Sequence, residues 1–250
     1  MEAREILRGS GILLSISSLP SPYGIGTLGK EAYSFVDLLS DLKQKYWQVL
    51  PVGPTIFGDS PYQPLSGFAG NIYFIDLDKL ADEGLLKKEE ILGYNWGADE
   101  SEIDYAALHQ SRYKILQKAF EKFDTNAQEF QDFVKKHSGW LEQYALFMTL
   151  KTDNLDKNWS EWSNEYRDLQ TVALENYQKK NYNKITFWEF CQYKFFEQWN
   201  DLKDYANSKG IYIIGDISFY VGYDSVDVWA DRQLFMMSAN DTPEYVAAAG

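Results

Sequence analysis

The sequence predicts an α/β fold in which parallel strands are interrupted by a long, mostly helical insertion. Three observations carry that expectation. An apolar run, an amphipathic helical stretch and a second apolar run follow one another within residues 11–52, the size of a βαβ unit. Residues 101–204 then hold few prolines and glycines and repeat apolar side chains at helical spacing. The helical pattern stops at Asn207-Ser208-Lys209-Gly210, and a third β-branched run begins at once.

Taken in order, Gly11-Ile12-Leu13-Leu14-Ser15-Ile16 is the first strand. After a loop rich in Ser, Pro and Gly, the spacing of Ala32, Phe35, Val36, Leu38, Leu39 and Leu42 marks a helix over residues 31–45. Tyr46-Trp47-Gln48-Val49-Leu50-Pro51-Val52 is the second strand, ended by its proline. The loop before the helix contains Gly24-Ile25-Gly26-Thr27-Leu28-Gly29, the spacing of a dinucleotide-binding fingerprint. That fingerprint turns directly at a strand end, whereas residues 17–23, with two prolines, intervene here and no acid closes the second strand. Nicotinamide binding is therefore not expected.

Residues 58–71 read Gly-Asp-Ser-Pro-Tyr-Gln-Pro-Leu-Ser-Gly-Phe-Ala-Gly-Asn, too irregular for a helix and too polar for core. This loop leaves the C-terminal end of the second strand, where parallel α/β folds bind their ligands. Ile72-Tyr73-Phe74-Ile75-Asp76-Leu77 is expected to be extended, and residues 80–86 to form a short helix and turn. Within the insertion, three helices are marked by Ile115, Leu116, Ala119, Phe120 and Phe123; by Trp140, Leu141, Tyr144, Phe147 and Met148; and by Trp188, Cys191, Phe195, Trp199 and Leu202. A polar loop with Trp159 and Trp162 lies between the second and third. Neither His109 nor His137 has a partner at metal-ligand spacing.

Residues 211–217 form the clearest strand, with Asp216 at its end. A carboxylate at the C-terminal end of a buried parallel strand loses hydration unless it is paired or meets a ligand, which makes Asp216 a candidate site residue. A second polar, aromatic loop follows at residues 220–229.

Composition narrows the function. Acids outnumber bases by thirteen, which argues against nucleic acid and anionic membrane surfaces as partners. No apolar run approaches a membrane span. Cys191 is the single cysteine, so no intrachain disulfide forms, and the first residues lack the apolar core of a signal peptide. A cytoplasmic protein is expected, and the glycosylation sequons at Asn158 and Asn240 are read as chance matches. Eight Trp, eighteen Tyr and fifteen Phe on an acidic background suit a binder of neutral polyhydroxylated ligands, whose ring faces stack on aromatics while hydroxyls meet carboxylates and amides.

Several blocks together resemble one family. They are Ser18-Leu19-Pro20-Ser21-Pro22-Tyr23-Gly24-Ile25-Gly26, Tyr46-Trp47-Gln48-Val49-Leu50-Pro51, Gly58-Asp59-Ser60-Pro61-Tyr62-Gln63 through Gly70-Asn71, Tyr144-Ala145-Leu146-Phe147-Met148, and Gly215-Asp216 with Asp224-Ser225-Val226-Asp227-Val228-Trp229. In order and spacing they are similar to the amylomaltases, the 4-α-glucanotransferases. The resemblance implies the N-terminal part of a (β/α)8 barrel, with a large helical insertion between the second and third barrel strands. Residues 1–85 would hold the first barrel strands and the sugar-site loop, 86–207 the largely helical insertion and return helix, and 208–250 the third barrel strand and the start of the next loop.

The resemblance further implies an enzyme without metal or organic cofactor that moves α-1,4-glucan segments between maltodextrins, with maltooligosaccharides and glucose as donor and acceptor. Retention through a covalent glycosyl-enzyme requires two carboxylates about 5 Å apart. The family's nucleophile block, Arg-(Ile/Leu/Val)-Asp-His-Phe-Arg-Gly, and its acid/base block, Gly-Glu-Asp-Leu-Gly, do not occur here. The chain is accordingly read as an N-terminal half without catalytic residues, inactive alone, whose partner is the remaining C-terminal half of the barrel.

By matching positions, Tyr62 would be a platform under the donor sugar and Ser60 a hydroxyl partner. Asp59 and Gln63 would hold the loop, and Asp216 would sit beneath the catalytic centre. Phe57 stands where some members carry a tyrosine of a second glucan site, so that contact would lack its phenol oxygen. Ser218-Phe219 and Gly222-Tyr223 depart from the family pattern, which implies an altered shape for that loop. A competing reading is a non-catalytic glucan-binding half-barrel module, weakened by the open parallel edges that three strands leave.

Overall fold

The computed structural model describes residues 8–55, 60–99, 102–238 and 240–245. Along the chain run β1 (Gly11–Leu13), α1 (Lys30–Asp41), β2 (Tyr46–Gln48), α2 (Leu77–Asp82), α3 (Lys88–Leu92), α4 (Tyr105–Phe120), α5 (Gln128–Asp153), α6 (Asn164–Arg167), α7 (Thr171–Lys180), α8 (Tyr182–Ser208), β3 (Tyr212–Ile214) and α9 (Val226–Ala230). The α/β class with three parallel strands and many helices is as the sequence implies. The sheet order is β1-β2-β3, with Gly11, Tyr46 and Tyr212 in one row and Leu13, Gln48 and Ile214 in another.

The chain divides into two compact units. One combines residues up to 52, 73–112 and 196–217; the other combines residues 53–72, 113–195 and those from 218 onward. In the first unit, alternation along the strands sends Ile12, Trp47 and Ile213 to one face. Trp47 is fully buried there, its ring edge-on to Phe35 of α1 at 5.0 Å and its indole N–H donating to the carbonyl of Leu14 at 2.8 Å. Ala32, Val36 and Leu39 complete the buried stripe of α1, while Leu38 and Leu42 stand exposed. The opposite sheet face differs from expectation. Tyr212 and Ile214 of the strand expected to be buried are 37% and 42% exposed, and Leu13 beside them is more exposed still.

A second difference concerns residues 72–77. Residues Ile72–Phe74 form a 3-10 turn, and Asp76 caps α2 by accepting from the backbone N–H of Lys79 at 3.0 Å. An apolar run this short reads alike as a strand or as a buried turn. Its backbone groups find other partners. The Phe74 carbonyl accepts from Leu28 N–H at 2.8 Å, and the Ile75 carbonyl accepts from the buried Arg112 guanidinium at 2.9 Å. The carboxamide of Gln198 on α8 brackets Asp76, accepting from its N–H at 2.7 Å and donating to its carbonyl at 3.2 Å. With these backbone groups bonded elsewhere, they need no ladder partner. Burial lowers the Arg112 pKa to about 10, with the nearby Asp76 charge opposing that fall.

The glycines of the fingerprint-like stretch have a packing reason. A Cβ on Gly26 would overlap the Ile16 carbonyl oxygen, and Thr27 donates its hydroxyl to Asp76 at 2.6 Å. Close approach of the chain to itself therefore accounts for the pattern.

In the second unit the core is helical and aromatic. Phe130, Leu141, Tyr144 and Phe147 of α5 and Phe190 and Phe195 of α8 are all buried. The expected polar loop after α5 contains a 3-10 turn at Trp159–Glu161 and then α6, with Trp159 and Trp162 buried. Among the described residues, no helix is long and apolar enough to cross a membrane.

Candidate functional site

The glycine- and proline-rich loop starts its described part at Ser60. Pro61 and Tyr62 form a turn in which the N–H of Tyr62 donates to Ser60 Oγ at 3.3 Å and that of Gln63 to the Ser60 carbonyl at 3.3 Å. An antiparallel bridge between Thr55 and Pro64 closes the base of this turn. Tyr62 is left 46% exposed. Further along, the buried Ser66 hydroxyl accepts from the N–H groups of Phe68 and Ala69 at 3.1 and 3.2 Å. The loop is thus a sequence of hydroxyl-stabilised turns presenting aromatic rings.

Its C-terminal end is clasped by α8. The Gln192 carboxamide accepts from Gly70 N–H at 2.7 Å and donates to the Gly70 carbonyl at 3.0 Å. Glycine is required there because a Cβ would overlap the ring of Phe195. Inside a buried environment, losing such a two-sided clasp costs roughly 1–3 kcal/mol.

The second polar loop lies along the first. Ser218 Oγ donates to the Pro61 carbonyl at 3.0 Å, Gly222 N–H to the Pro64 carbonyl at 3.2 Å, and Val226 N–H to the Leu65 carbonyl at 2.9 Å. Asp227 accepts from Gly67 N–H at 3.0 Å, while burial pushes its carboxyl above the ordinary range. Asp224 is held from the other side, by Lys151 Nζ at 2.5 Å and the Trp159 backbone N–H at 3.2 Å. Trp159 also donates its indole N–H to the Tyr223 carbonyl at 2.7 Å, and Trp229 packs against Phe147 and Trp162. The insertion therefore fastens both loops.

The structure brings Ser60, Tyr62 and Gln63 together on one turn. Asp59 and Phe57 lie outside the described residues. Asp216 belongs to the sheet unit, half-buried and two residues beyond the last residue of β3, so it stands past the strand end. Sequence reasoning passed over Phe68, Phe219 and Tyr220, all strongly exposed aromatics of the two loops, together with Lys151 and Gln192. Exposed rings on otherwise polar loops were a visible signal for the first three. A lysine and a glutamine within helices gave none.

Chemically, this arrangement can stack and hydrogen-bond a ligand. Asp224 and Asp227 are engaged in structural contacts, with Lys151 and with the Gly67 N–H. Among the described residues, no three His, Cys, Asp or Glu side chains are grouped to hold a metal ion.

Comparison with known proteins adds a decisive observation: the 4-alpha-glucanotransferase family pattern matches residues 14–250. The chain belongs to the 4-alpha-glucanotransferase family. The 4-alpha-glucanotransferase of Streptococcus pneumoniae is 44% identical over 245 residues, covering 96% of this chain and 48% of that protein. The Thermus thermophilus relative is 40% identical over 248 residues, covering 97% of the chain and 49% of its own length. The chain thus spans about half the length of the curated relatives it matches. Among solved structures, the amylomaltase of Streptococcus agalactiae in complex with acarbose superposes with a TM-score of 0.90 at 41% identity, over 95% of this chain and 48% of that one. An amylomaltase from Corynebacterium glutamicum, at a TM-score of 0.66 and 16% identity, shares the fold over 89% of this chain and 32% of its own.

Proposed function

We propose that the protein carrying this chain is a cytoplasmic 4-alpha-glucanotransferase that transfers α-1,4-glucan segments between maltodextrins with retention, through a covalent glycosyl-enzyme. The chain contributes the wall of the donor site, and the two catalytic carboxylates come from outside it. Tyr62 is the stacking platform, Ser60 a hydroxyl partner, Asp59 and Gln63 hold the turn, and Asp216 lies beneath the reacting centre. Maltooligosaccharides are donors, and maltooligosaccharides or glucose are acceptors. The carrying observation is the exposed Tyr62 ring on a turn whose backbone is bonded to Ser60 and whose flank is bonded to residues 218–227. A turn whose backbone is already bonded lowers the ordering cost of presenting the ring to a sugar.

The three parallel strands support a place at the start of a (β/α)8 barrel, with residues 86–207 as the insertion between the second and third strands. The exposed row of Leu13 and Ile214 and the single paired edges of β1 and β3 are what such a placement would leave for further strands to cover. Substrate atoms need to be held near both carboxylates during transfer, and an acceptor sugar must displace water at the intermediate.

Tyr62→Ala in the full-length protein tests the site. Transfer from maltotriose is expected to fall at least tenfold with the unfolding midpoint unchanged, since the ring is half exposed. Wild-type transfer by that variant would remove Tyr62 from the donor site.

A further inference from the structure

A cleft of about 460 Å3 opens in the helical unit, between the C-terminal end of α5, α6, α7 and the start of α8; Asp153, Tyr166, Asn176, Tyr177, Lys180 and Lys184 contribute to its lining. These residues lie outside the two loops described above, which they meet where the Tyr166 backbone carbonyl accepts from the Trp229 indole N–H at 3.0 Å. Two tyrosines are its organising feature. The Tyr177 hydroxyl donates to Asp153 Oδ2 at 2.7 Å, and Lys184 Nζ donates to both oxygens of the same carboxylate at 2.6 and 2.8 Å. Tyr166 lies beside the Glu165 charge, and its ring stands edge-on to that of Tyr177 at 5.2 Å. The Tyr177 ring is thereby fixed at its polar end. Burial, followed by these carboxylates, raises both phenols above their ordinary pKa, so they stay protonated.

The charges of the lining cancel. Asp153 and Glu165 balance Lys180 and Lys184, so the lining carries no net charge to select an anion or a cation. It offers instead aromatic surface, amides and paired charged groups, the combination that takes a neutral polyol. The connecting backbone is also unusual: Leu155 and Asp156, just after α5, and Leu169, just before α7, adopt φ values of 58°, 58° and 53°. Leucine enters this left-handed region rarely and at a cost, and such strain concentrates at binding sites.

We propose that this cleft is an accessory site for an α-1,4-glucan chain, with Tyr166 and Tyr177 as ring surfaces and Asn176, Lys180 and Asp153 as hydroxyl partners. The identity of the sugar rests on the glucanotransferase reading. An accessory site raises the local concentration of long substrates at the transferase without contributing to the transfer itself.

Hydrogen exchange of the full-length protein with and without maltoheptaose tests this. Slowed exchange over residues 153–184 is expected, and it is lost in Asn176→Trp, which plugs the cleft from an exposed position of α7. Lys180→Trp blocks it from a second exposed position. In either variant KM for long amylose rises roughly fivefold, while kcat/KM for maltotriose keeps its wild-type value. Unaltered exchange over residues 153–184, slowing that survives both blocking variants, or an unchanged KM for amylose overturns the accessory site. Slowing over residues 60–71 is read from the same samples and reports the donor site. Its absence beside a protected cleft would refute the donor-site reading and uphold the accessory site.

Discussion

The Gln192 carboxamide brackets the peptide of Gly70, at 2.7 Å to its N–H and 3.0 Å to its carbonyl. A glutamine in the middle of a 27-residue helix thus replaces a strand partner for the end of the glycine- and proline-rich loop. The clasp also fixes the chain where it passes the Phe195 ring.

Gln192→Ala leaves both Gly70 groups buried without partners and opens a cavity. Stability should fall by about 2–4 kcal/mol, measured as a urea midpoint shift at constant slope. Gln192→Glu keeps the acceptor but sets a fully buried carboxylate against the Gly70 carbonyl, so a loss that grows as pH rises is expected. Equal stability in all three proteins would show that the clasp contributes nothing.

Lys151 is nearly buried and also bonds the carbonyls of Asp156 and Lys157, at 3.1 and 3.3 Å. Lys151→Met strands the Asp224 carboxylate and unties residues 154–159. A loss of about 2–3 kcal/mol is expected, below the cost for a fully buried pair because Asp224 keeps some access to water. Melting of the double variant with Asp224→Asn isolates the coupling: recovery of part of that loss is expected, and strict additivity would contradict a direct pair.

Glu189 on α8 has its pKa raised from 4.5 to about 7 by burial and then by the Glu142 charge. The fold favours the protonated acid. Its stabilising contribution is present in full below pH 4.5 and is lost as pH rises through about 7. Stability should decline across that window by on the order of 2–3 kcal/mol. Glu189→Gln should flatten the decline, and urea unfolding at pH 5 and pH 8 measures it. An identical decline in the variant would place its origin elsewhere.

Much of the fold was legible because periodicity is local. Trp47, Ala32, Val36 and Leu39 announce a strand and the helix that covers it. Residues 72–77 misled because Phe74 and Ile75 are apolar for burial in a turn, with Arg112 and Gln198 supplying bonds from far along the chain. The third strand was read as a buried parallel strand, yet Tyr212 and Ile214 stand exposed on one face. Of the site, the turn at Ser60 and Tyr62 was visible through its glycine and proline chemistry. The fastenings by Gln192, Lys151 and Trp159 were not, since a side chain that bonds a partner tens of residues away leaves no local pattern.

The product distribution of the full-length protein given maltotriose alone tests the central claim most directly. Transfer predicts glucose together with a ladder of longer α-1,4-linked maltodextrins, with the total number of glycosidic bonds conserved. Accumulation of glucose and maltose with a falling bond count, or no reaction, would contradict it.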